Sequence, residues 1–228
     1  MEFLNSIHLA LGSPLWEDGP NGLLLLLNGL KVTVVVAFFS VILGLVLGTL
    51  TALLRMSQSK ILNIPGKIYI EIVRGTPVMV QLLIIYFIIF RSYNLNQTTA
   101  GIIAFGINSG AYIAEIIRAG IQAVDKGQME AARSLGMPLS LSMREIILPQ
   151  AVKKILPALG NEFVVLLKET AILGFIGGND LMRAGNKIRS VTYEATIPLF
   201  AVAIIYFILT YFISLGISRF ERRLSSSD

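Results

Sequence analysis

Long apolar runs alternate with short polar stretches along most of this chain. Residues 32–54 and residues 195–217 each form a run of 23 residues without a charged side chain. Uncharged runs of 18 or more residues are typical of membrane-spanning helices, because about 20 helical residues cross the hydrocarbon core. The pattern as a whole predicts five spans, approximately at residues 23–54, 68–90, 98–117, 151–175 and 195–217.

One polar stretch, residues 122–150, separates the third span from the fourth. It contains the sequence MEAARSLGMPLSLSMREIILPQ, which carries charges of both signs. Its adjacent alanines favour a helix, Gly136 is suited to ending that helix, and Pro149 is suited to opening the next one. Met129, Ala132 and Leu135 fall at three-residue steps and form a short apolar ridge. These residues alone fit a plain surface helix and a helix that inserts into a partner's groove about equally well.

Composition supports an all-α integral membrane protein. The 228 residues are 54% hydrophobic and only 14% charged, with a mean hydropathy of +0.73, whereas soluble domains carry about 25% charged residues. The net charge of +5 could suggest nucleic acid on a soluble domain, but in a membrane protein basic residues gather in cytoplasmic loops. The chain has no cysteine, which excludes disulfides and thiol chemistry, and its one histidine, His8, does not suggest a metal site.

The distribution of lysine and arginine predicts the orientation. With the N-terminus outside and the C-terminus cytoplasmic, twelve basic residues fall in cytoplasmic segments and four fall outside. The cytoplasmic set is Arg55, Lys60, Lys67, Arg118, Lys126, Arg133, Arg144, Lys153, Lys154, Arg219, Arg222 and Arg223, and the outer set is Arg91, Arg183, Lys187 and Arg189. The basic segment from Arg183 to Arg189 does not fit the rule, and we expect it to fold partly into the protein.

Two features within the spans predict how the helices pack. Ser40, Gly44 and Gly48 repeat every four residues in the first span, and small residues at that spacing let helices approach closely in lipid. Pro77 lies inside the predicted second span, where a missing backbone donor and a steric clash should kink the helix.

Charged residues inside the spans are candidates for function, because hydrocarbon disfavours them. Glu71 and Arg74 lie three residues apart near the cytoplasmic end of the second span, and Glu115 and Arg118 repeat that spacing in the third. Residues at this spacing share a helix face. We interpret both pairs as structural ion pairs or gating elements rather than as substrate contacts.

Glu162 differs, because it falls near the middle of the fourth span. A buried carboxylate needs a cation, and Lys168 is too far around the helix to be a good partner. The cation could therefore be a substrate, or a lysine such as Lys168 or a residue of a neighbouring span. Asn161 could bond to the substrate's amino or carboxylate group, or it could bond between helices.

The polar stretch contains a pattern that resembles a known family. The pattern is Glu130-Ala131-Ala132, three residues, Gly136, nine residues, Ile146, one residue and Leu148-Pro149. It resembles the EAA loop of bacterial ABC importer permeases over its full length. The resemblance implies that these residues form the coupling helix, which docks in a cleft of the ATP-binding subunit.

Three further segments resemble the polar amino-acid branch of the same permeases. They are RGTPVMVQL at residues 74–82, GAYIAEIIRAGI at 110–121 and LPALGNEFVVLLKETAI at 156–172. The resemblance implies one permease domain over residues 1–228 with the type I importer fold, in a prokaryotic plasma (inner) membrane. It implies two ATP-binding subunits, an extracellular substrate-binding protein and a second permease chain, identical or related. It places ATP and magnesium on the partner subunits and no cofactor on this chain.

The residue after Asn161 bears on the substrate. In the resembling permeases this position tends to be glutamate in histidine, arginine and lysine systems and glutamine in glutamine systems. Glu162 therefore implies a cationic amino acid, with glutamine or another polar neutral amino acid as the alternative.

Other classes of protein have less support. The glycine-rich GFIGGND lacks the lysine of a phosphate-binding loop, so we do not expect an ATPase site here, and no arrangement of catalytic residues predicts an enzyme. A secondary transporter usually shows paired repeats with broken helices, and a subunit without a transport path would have little use for Glu162.

Overall fold

The first long helix, α1 (Gly22–Met56), begins where the Asn21 side chain accepts a hydrogen bond from the backbone N–H of Leu24 at 2.9 Å. Its 35 residues measure about 52 Å, which exceeds the roughly 30 Å of a hydrocarbon core. The computed structural model describes residues 6–17 and 19–225, with side chains through residue 223. The last three residues of the predicted polar tail lie outside this part of the chain.

The predicted second span, residues 68–90, is not one kinked helix but two helices. Helix α2 (Lys60–Arg74) ends at Gly75, and helix α3 (Val78–Ile84) starts after Pro77 and continues as a π-helical turn, Ile85–Ile89. Their axes differ by 106°. A proline disfavours helical backbone in the residue before it and provides no N–H of its own, so the helix stops instead of bending.

The remaining helices follow in chain order. They are α4 (Gln97–Gln122), α5 (Lys126–Ser134), α6 (Leu139–Ser142, continued by a π-helical turn, Met143–Ile147), α7 (Leu148–Glu169, continued by a 3₁₀ segment, Thr170–Ile176), α8 (Leu181–Thr192) and α9 (Thr196–Ser225). Among the described helices, α1, α4 and the Thr196–Arg223 part of α9 are each long and apolar enough to cross a membrane, and the α2–α3 pair can count as a fourth crossing. Helices α4 and α9 match the predicted spans at residues 98–117 and 195–217, whereas α7, which lies at the predicted span 151–175, is not among these described helices.

Helices α1 and α4 form the most extensive helix contact of the bundle, and small residues make it possible. Ser40, Gly44 and Gly48 are all buried, as the four-residue spacing predicted. The Ser40 hydroxyl donates to the Ile102 carbonyl at 3.2 Å, and a Cβ on Gly48 would lie 2.6 Å from Ile113. The stripe therefore brings α1 against α4 at a distance that larger side chains would prevent.

One face of helix α8 is buried in the bundle. Leu181 and Ile188 are fully buried, and the backbone N–H of Leu181 donates to the Thr33 hydroxyl of α1 at 3.2 Å. The basic segment is thus part of a helix that folds partly into the protein. Arg183 contacts the carbonyl of Gly174 at 2.8 Å through its guanidinium.

Candidate substrate and coupling sites

Helix α7 carries Glu162 into contact with α4. The two helices run antiparallel, since Ile155 of α7 lies beside Gly120 and Glu162 lies beside Ser109. The Ser109 hydroxyl donates to the Glu162 carboxylate at 2.9 Å, and Ser109 itself is fully buried. The carboxylate thus lies half-buried near the middle of α7.

Glu162 forms no salt bridge within 4.0 Å in the part of the chain that the structure describes. Lys168 is exposed on the same helix, in line with the expectation that it is a poor partner. Arg74 acts on Glu162 through space, but its guanidinium lies closer to Glu115. The described partner of this carboxylate is therefore a neutral hydroxyl, which leaves much of its negative charge uncompensated. Asn161, the other predicted substrate residue, is exposed on α7.

The predicted pairing of Glu71 with Arg74 is wrong. Glu71 pairs with Lys67 at 3.6 Å on an exposed face of α2, whereas Arg74 reaches across to Glu115 of α4 at 3.9 Å. Arg74 is the last residue of α2, so its side chain extends beyond the helix end toward α4. Glu115 also binds Arg118 at 2.6 Å, as predicted for that pair.

The coupling stretch forms the helix that the sequence predicted. Asp125 caps α5 by accepting from the backbone N–H of Gly127 at 2.7 Å. Gly136 ends it with φ +82°, a left-handed conformation that glycine adopts without strain. Pro149 lies in the first turn of α7, where a missing N–H costs nothing.

The predicted apolar ridge on α5 is divided between two environments. Ala132 is buried, and Met129 packs with Ile147 and other residues of α4, α6 and α7. Leu135 is 83% exposed, because it follows the last helical residue and points away from the chain. The other predicted coupling residues are exposed or half-buried: Glu130, Ala131, Gly136, Ile146, Leu148 and Pro149. One face of α5 thus packs against the bundle, and the opposite face is exposed.

Three polar residues, one of which contacts Glu162, were not singled out from the sequence. They are Gln81 of α3 and Asn108 and Ser109 of α4, and the first two are joined by a hydrogen bond of 3.0 Å between their side-chain amides. The signal available in the sequence was the pair of polar side chains in the middle of an otherwise apolar span, which hydrocarbon disfavours.

A buried carboxyl, Asp180, caps α8 between the predicted fourth and fifth spans. It accepts from the backbone N–H of Met182 at 2.9 Å and is fully buried. Burial raises the pKa of Asp180 to about 6, although the backbone N–H of Arg183 and that of Met182 act in the opposite direction. The carboxyl holds the start of the buried helix in place.

The helices, their glycine-lined contacts and the half-buried carboxylate between them define a membrane permease. The chain belongs to the family of binding-protein-dependent transport system inner membrane components, whose sequence profile matches residues 20–226.

Named relatives and a solved structure narrow this class. The chain is 43% identical over 204 residues to a Rickettsia felis protein provisionally named glutamine transport system permease protein GlnP, with 89% of this chain and 94% of that protein covered. It is 39% identical over 205 residues to the arginine transport system permease protein ArtQ of Bacillus subtilis, with the same coverage of 89% and 94%.

The fold also matches a solved transporter. A crystal structure of an amino acid ABC transporter with histidines contains a chain that is 51% identical, with a TM-score of 0.83 over 87% of this chain and 94% of that one. This protein is therefore the permease subunit of an amino acid ABC importer, and it has the fold of an ABC importer permease. The family is a membrane component of transport systems and is not itself an ATPase.

Proposed function

We propose that this permease carries cationic amino acids, namely arginine, lysine or histidine, and that Glu162 binds the positive side chain. The observation that carries the proposal is a half-buried carboxylate at the α4–α7 contact whose described partner is the neutral Ser109 hydroxyl. A carboxylate in this setting favours a cation, and a substrate that passes along α7 can supply one. The exposed amide of Asn161 next to it can bond to the amino or carboxylate group.

The coupling helix α5 completes the proposal. Its exposed face, with Glu130 and the tip residue Leu135, fits a groove on an ATP-binding subunit, while Met129 and Ala132 anchor the opposite face to the bundle. ATP and magnesium bind to that partner. An extracellular binding protein delivers the amino acid, and a second permease chain, identical or related, completes the pathway. Closure of the ATP-binding subunits then moves α5, and the bundle switches between an inward-facing and an outward-facing opening.

Uptake of labelled arginine and labelled glutamine by the reconstituted importer tests the substrate assignment. In Glu162→Gln we expect arginine uptake to fall by roughly 10- to 100-fold, because a hydrogen bond to a charged group contributes about 1.5–3 kcal/mol. Glu71→Gln is the matched control, since it removes an exposed carboxylate that pairs with Lys67, and it should leave arginine uptake unchanged.

Either of two results would overturn the assignment. Glutamine taken up in preference to arginine by the wild-type importer would favour a polar neutral substrate, the class named for the Rickettsia felis relative. Arginine uptake that is the same in Glu162→Gln and in wild type would separate Glu162 from the substrate. Assembly of each variant with the ATP-binding subunit is measured first, so that a loss of uptake is not a loss of the complex.

A further inference from the structure

The break between α2 and α3, which is exposed at residues 74–77, leaves backbone groups that need hydrogen-bond partners. A helix end carries carbonyls without intrahelical donors, and hydrocarbon offers no water to satisfy them. The N–H of Gly75 makes the last bond of α2, to Glu71 at 2.9 Å, and Pro77 has no N–H to donate. The carbonyls of Val73 and Thr76 therefore depend on a side chain.

Gln81 supplies the donor. Its amide nitrogen lies 2.7 Å from the Val73 carbonyl, 3.0 Å from the Thr76 carbonyl and 2.8 Å from the Thr76 hydroxyl. That hydroxyl donates its own hydrogen to the Ile72 carbonyl at 2.9 Å, so it is an acceptor for Gln81. Three acceptor oxygens around one end of the amide decide its orientation, with the nitrogen toward the break and the oxygen away from it.

The oxygen of the same amide is bound to α4. It accepts from the side-chain nitrogen of Asn108 at 3.0 Å, and Asn108 is only 3% exposed. The next residue, Ser109, donates to Glu162 at 2.9 Å. Asn108 and Ser109, which are consecutive residues of α4, therefore bond to different partners. Asn108 donates to Gln81 at the break, and Ser109 donates to the candidate substrate carboxylate.

A second contact links the break to the same helix. Arg74, on the α2 side of the break, lies 3.9 Å from the Glu115 carboxylate and 5.2 Å from the centre of the Tyr112 ring. Asn108, Tyr112 and Glu115 are four and three residues apart, which places them on one face of α4. Both sides of the break are thus attached to α4, Arg74 on the α2 side and Gln81 on the α3 side.

We propose that Gln81 is a positioning residue that couples the substrate site to the angle of the α2–α3 break through Asn108. This inference rests on the proposed function of Glu162. A cationic substrate that takes up the carboxylate competes with the Ser109 hydroxyl, and the resulting shift of α4 moves Asn108 with it. The Gln81 amide follows, the carbonyls of the break lose or exchange their donor, and the angle between α2 and α3 changes.

Two substitutions test separately the bond of Gln81 to the break and its bond to Asn108. Gln81→Glu keeps an acceptor for Asn108 but removes the donor to the break. Asn108→Asp keeps the volume but places an acceptor opposite the Gln81 oxygen, so it removes the link to α4. We expect each variant to lower the kcat of arginine uptake at least 10-fold while KM changes less than 3-fold. The matched control is Gln97→Leu, which removes another polar contact between α3 and α4, to Tyr86 at 3.5 Å, and it should keep wild-type kcat.

A distance measurement keeps the proposal testable where a variant transports too little to analyse. The chain has no cysteine, so spin labels can be attached at Ile68→Cys and Ile88→Cys, which are exposed on either side of the break. In the assembled importer with otherwise wild-type sequence we expect arginine to change the distance between the labels. Asn108→Asp should abolish that change.

The outcomes distinguish this inference from the proposed function. If Glu162→Gln abolishes arginine uptake but arginine leaves the label distance unchanged, the substrate assignment stands and the coupling through Gln81 is wrong. The coupling is equally wrong if Asn108→Asp transports with wild-type kcat. If Glu162→Gln transports arginine normally, the proposed function of Glu162 is wrong, and the coupling inferred from it has no basis.

Discussion

Many polar side chains in this bundle bond to backbone groups, both at helix ends and within helices. Gln81 donates to carbonyls at the α2–α3 break, Ser40 donates to the Ile102 carbonyl, and Thr33 and Asp180 accept from backbone N–H groups at the start of α8. In a membrane each such group must be satisfied by protein, since water is absent. A polar residue in a span therefore has a positional role even where it contacts no substrate.

The burial of Asp180 predicts that the stability of the protein depends on the pH. Its pKa in the folded protein is raised to about 6 by burial, above the value of about 3.9 in an unfolded chain. The folded state therefore binds this proton more tightly, so the contribution of Asp180 to the free energy of unfolding is largest below about pH 4 and is lost as pH rises through about 6. Above that range the ionised carboxyl costs on the order of 3 kcal/mol, since the shift is about two pKa units.

Thermal denaturation of wild type and Asp180→Asn, in detergent at pH 4.5 and pH 7.5, checks this. The variant cannot ionise, so its stability relative to wild type should rise at the higher pH by several degrees in Tm. Asp125→Asn, which alters an exposed helix cap, is the control and should show no such rise. A difference between wild type and Asp180→Asn that is equal at both pH values would contradict the prediction.

The position of each helix depends on its local sequence, and the angle between helices depends on contacts with residues far away in the chain. The apolar runs predicted α1, α4 and α9, because a continuous apolar run needs only its own backbone hydrogen bonds to be stable in lipid. The end of α2 at Gly75 follows from Pro77, whereas the 106° angle to α3 accompanies contacts between distant segments, those of Gln81 at the break and of Arg74 with α4. Periodicity indicated a kink at Pro77 but carried no information about its size.

The exposed face of helix α5 predicts which charge change weakens binding of the ATP-binding subunit. Glu130 is exposed in the middle of α5, so Glu130→Lys reverses a charge without disturbing the packing of Met129 or Ala132. We expect the variant to lose at least 10-fold in affinity for the ATP-binding subunit, measured by co-purification from membranes. Glu145→Lys makes the same charge change at another exposed position of the loop and should bind nearly as wild type. Equal binding by both variants would remove α5 from the interface.

The molecule as a whole has an orientation that the basic residues predict. Twelve of them lie in segments assigned to the cytoplasm and four in segments assigned to the outside. Arg189 is exposed, but the packing of α8 accounts for two of the outer four, because Arg183 donates to the Gly174 carbonyl and Lys187 donates to the Asn179 side chain at 3.1 Å. Such residues belong to the packed bundle rather than to a free loop.

Single cysteines test the orientation, since the wild-type chain has none. Tyr93→Cys, 70% exposed between α3 and α4, should react with a membrane-impermeant maleimide in intact cells. Gln58→Cys, exposed between α1 and α2 in a segment assigned to the cytoplasm, should react only after the membrane is permeabilised. The reverse pattern would invert the predicted topology and would place α5 out of reach of a cytoplasmic ATP-binding subunit.

The amino-acid sequence by itself determined what depends on neighbouring residues: the apolar helices, the small-residue stripe of α1, the coupling helix with its Gly136 end, and the charge at Glu162. Tertiary structure decided which distant residues meet. Ser109 and Glu162 are 53 residues apart in the chain, and Gln81 and Asn108 are 27 apart. Those pairings result from the packing of α4 against α1, α3 and α7 together, and no single segment contains the information for a contact made by four helices.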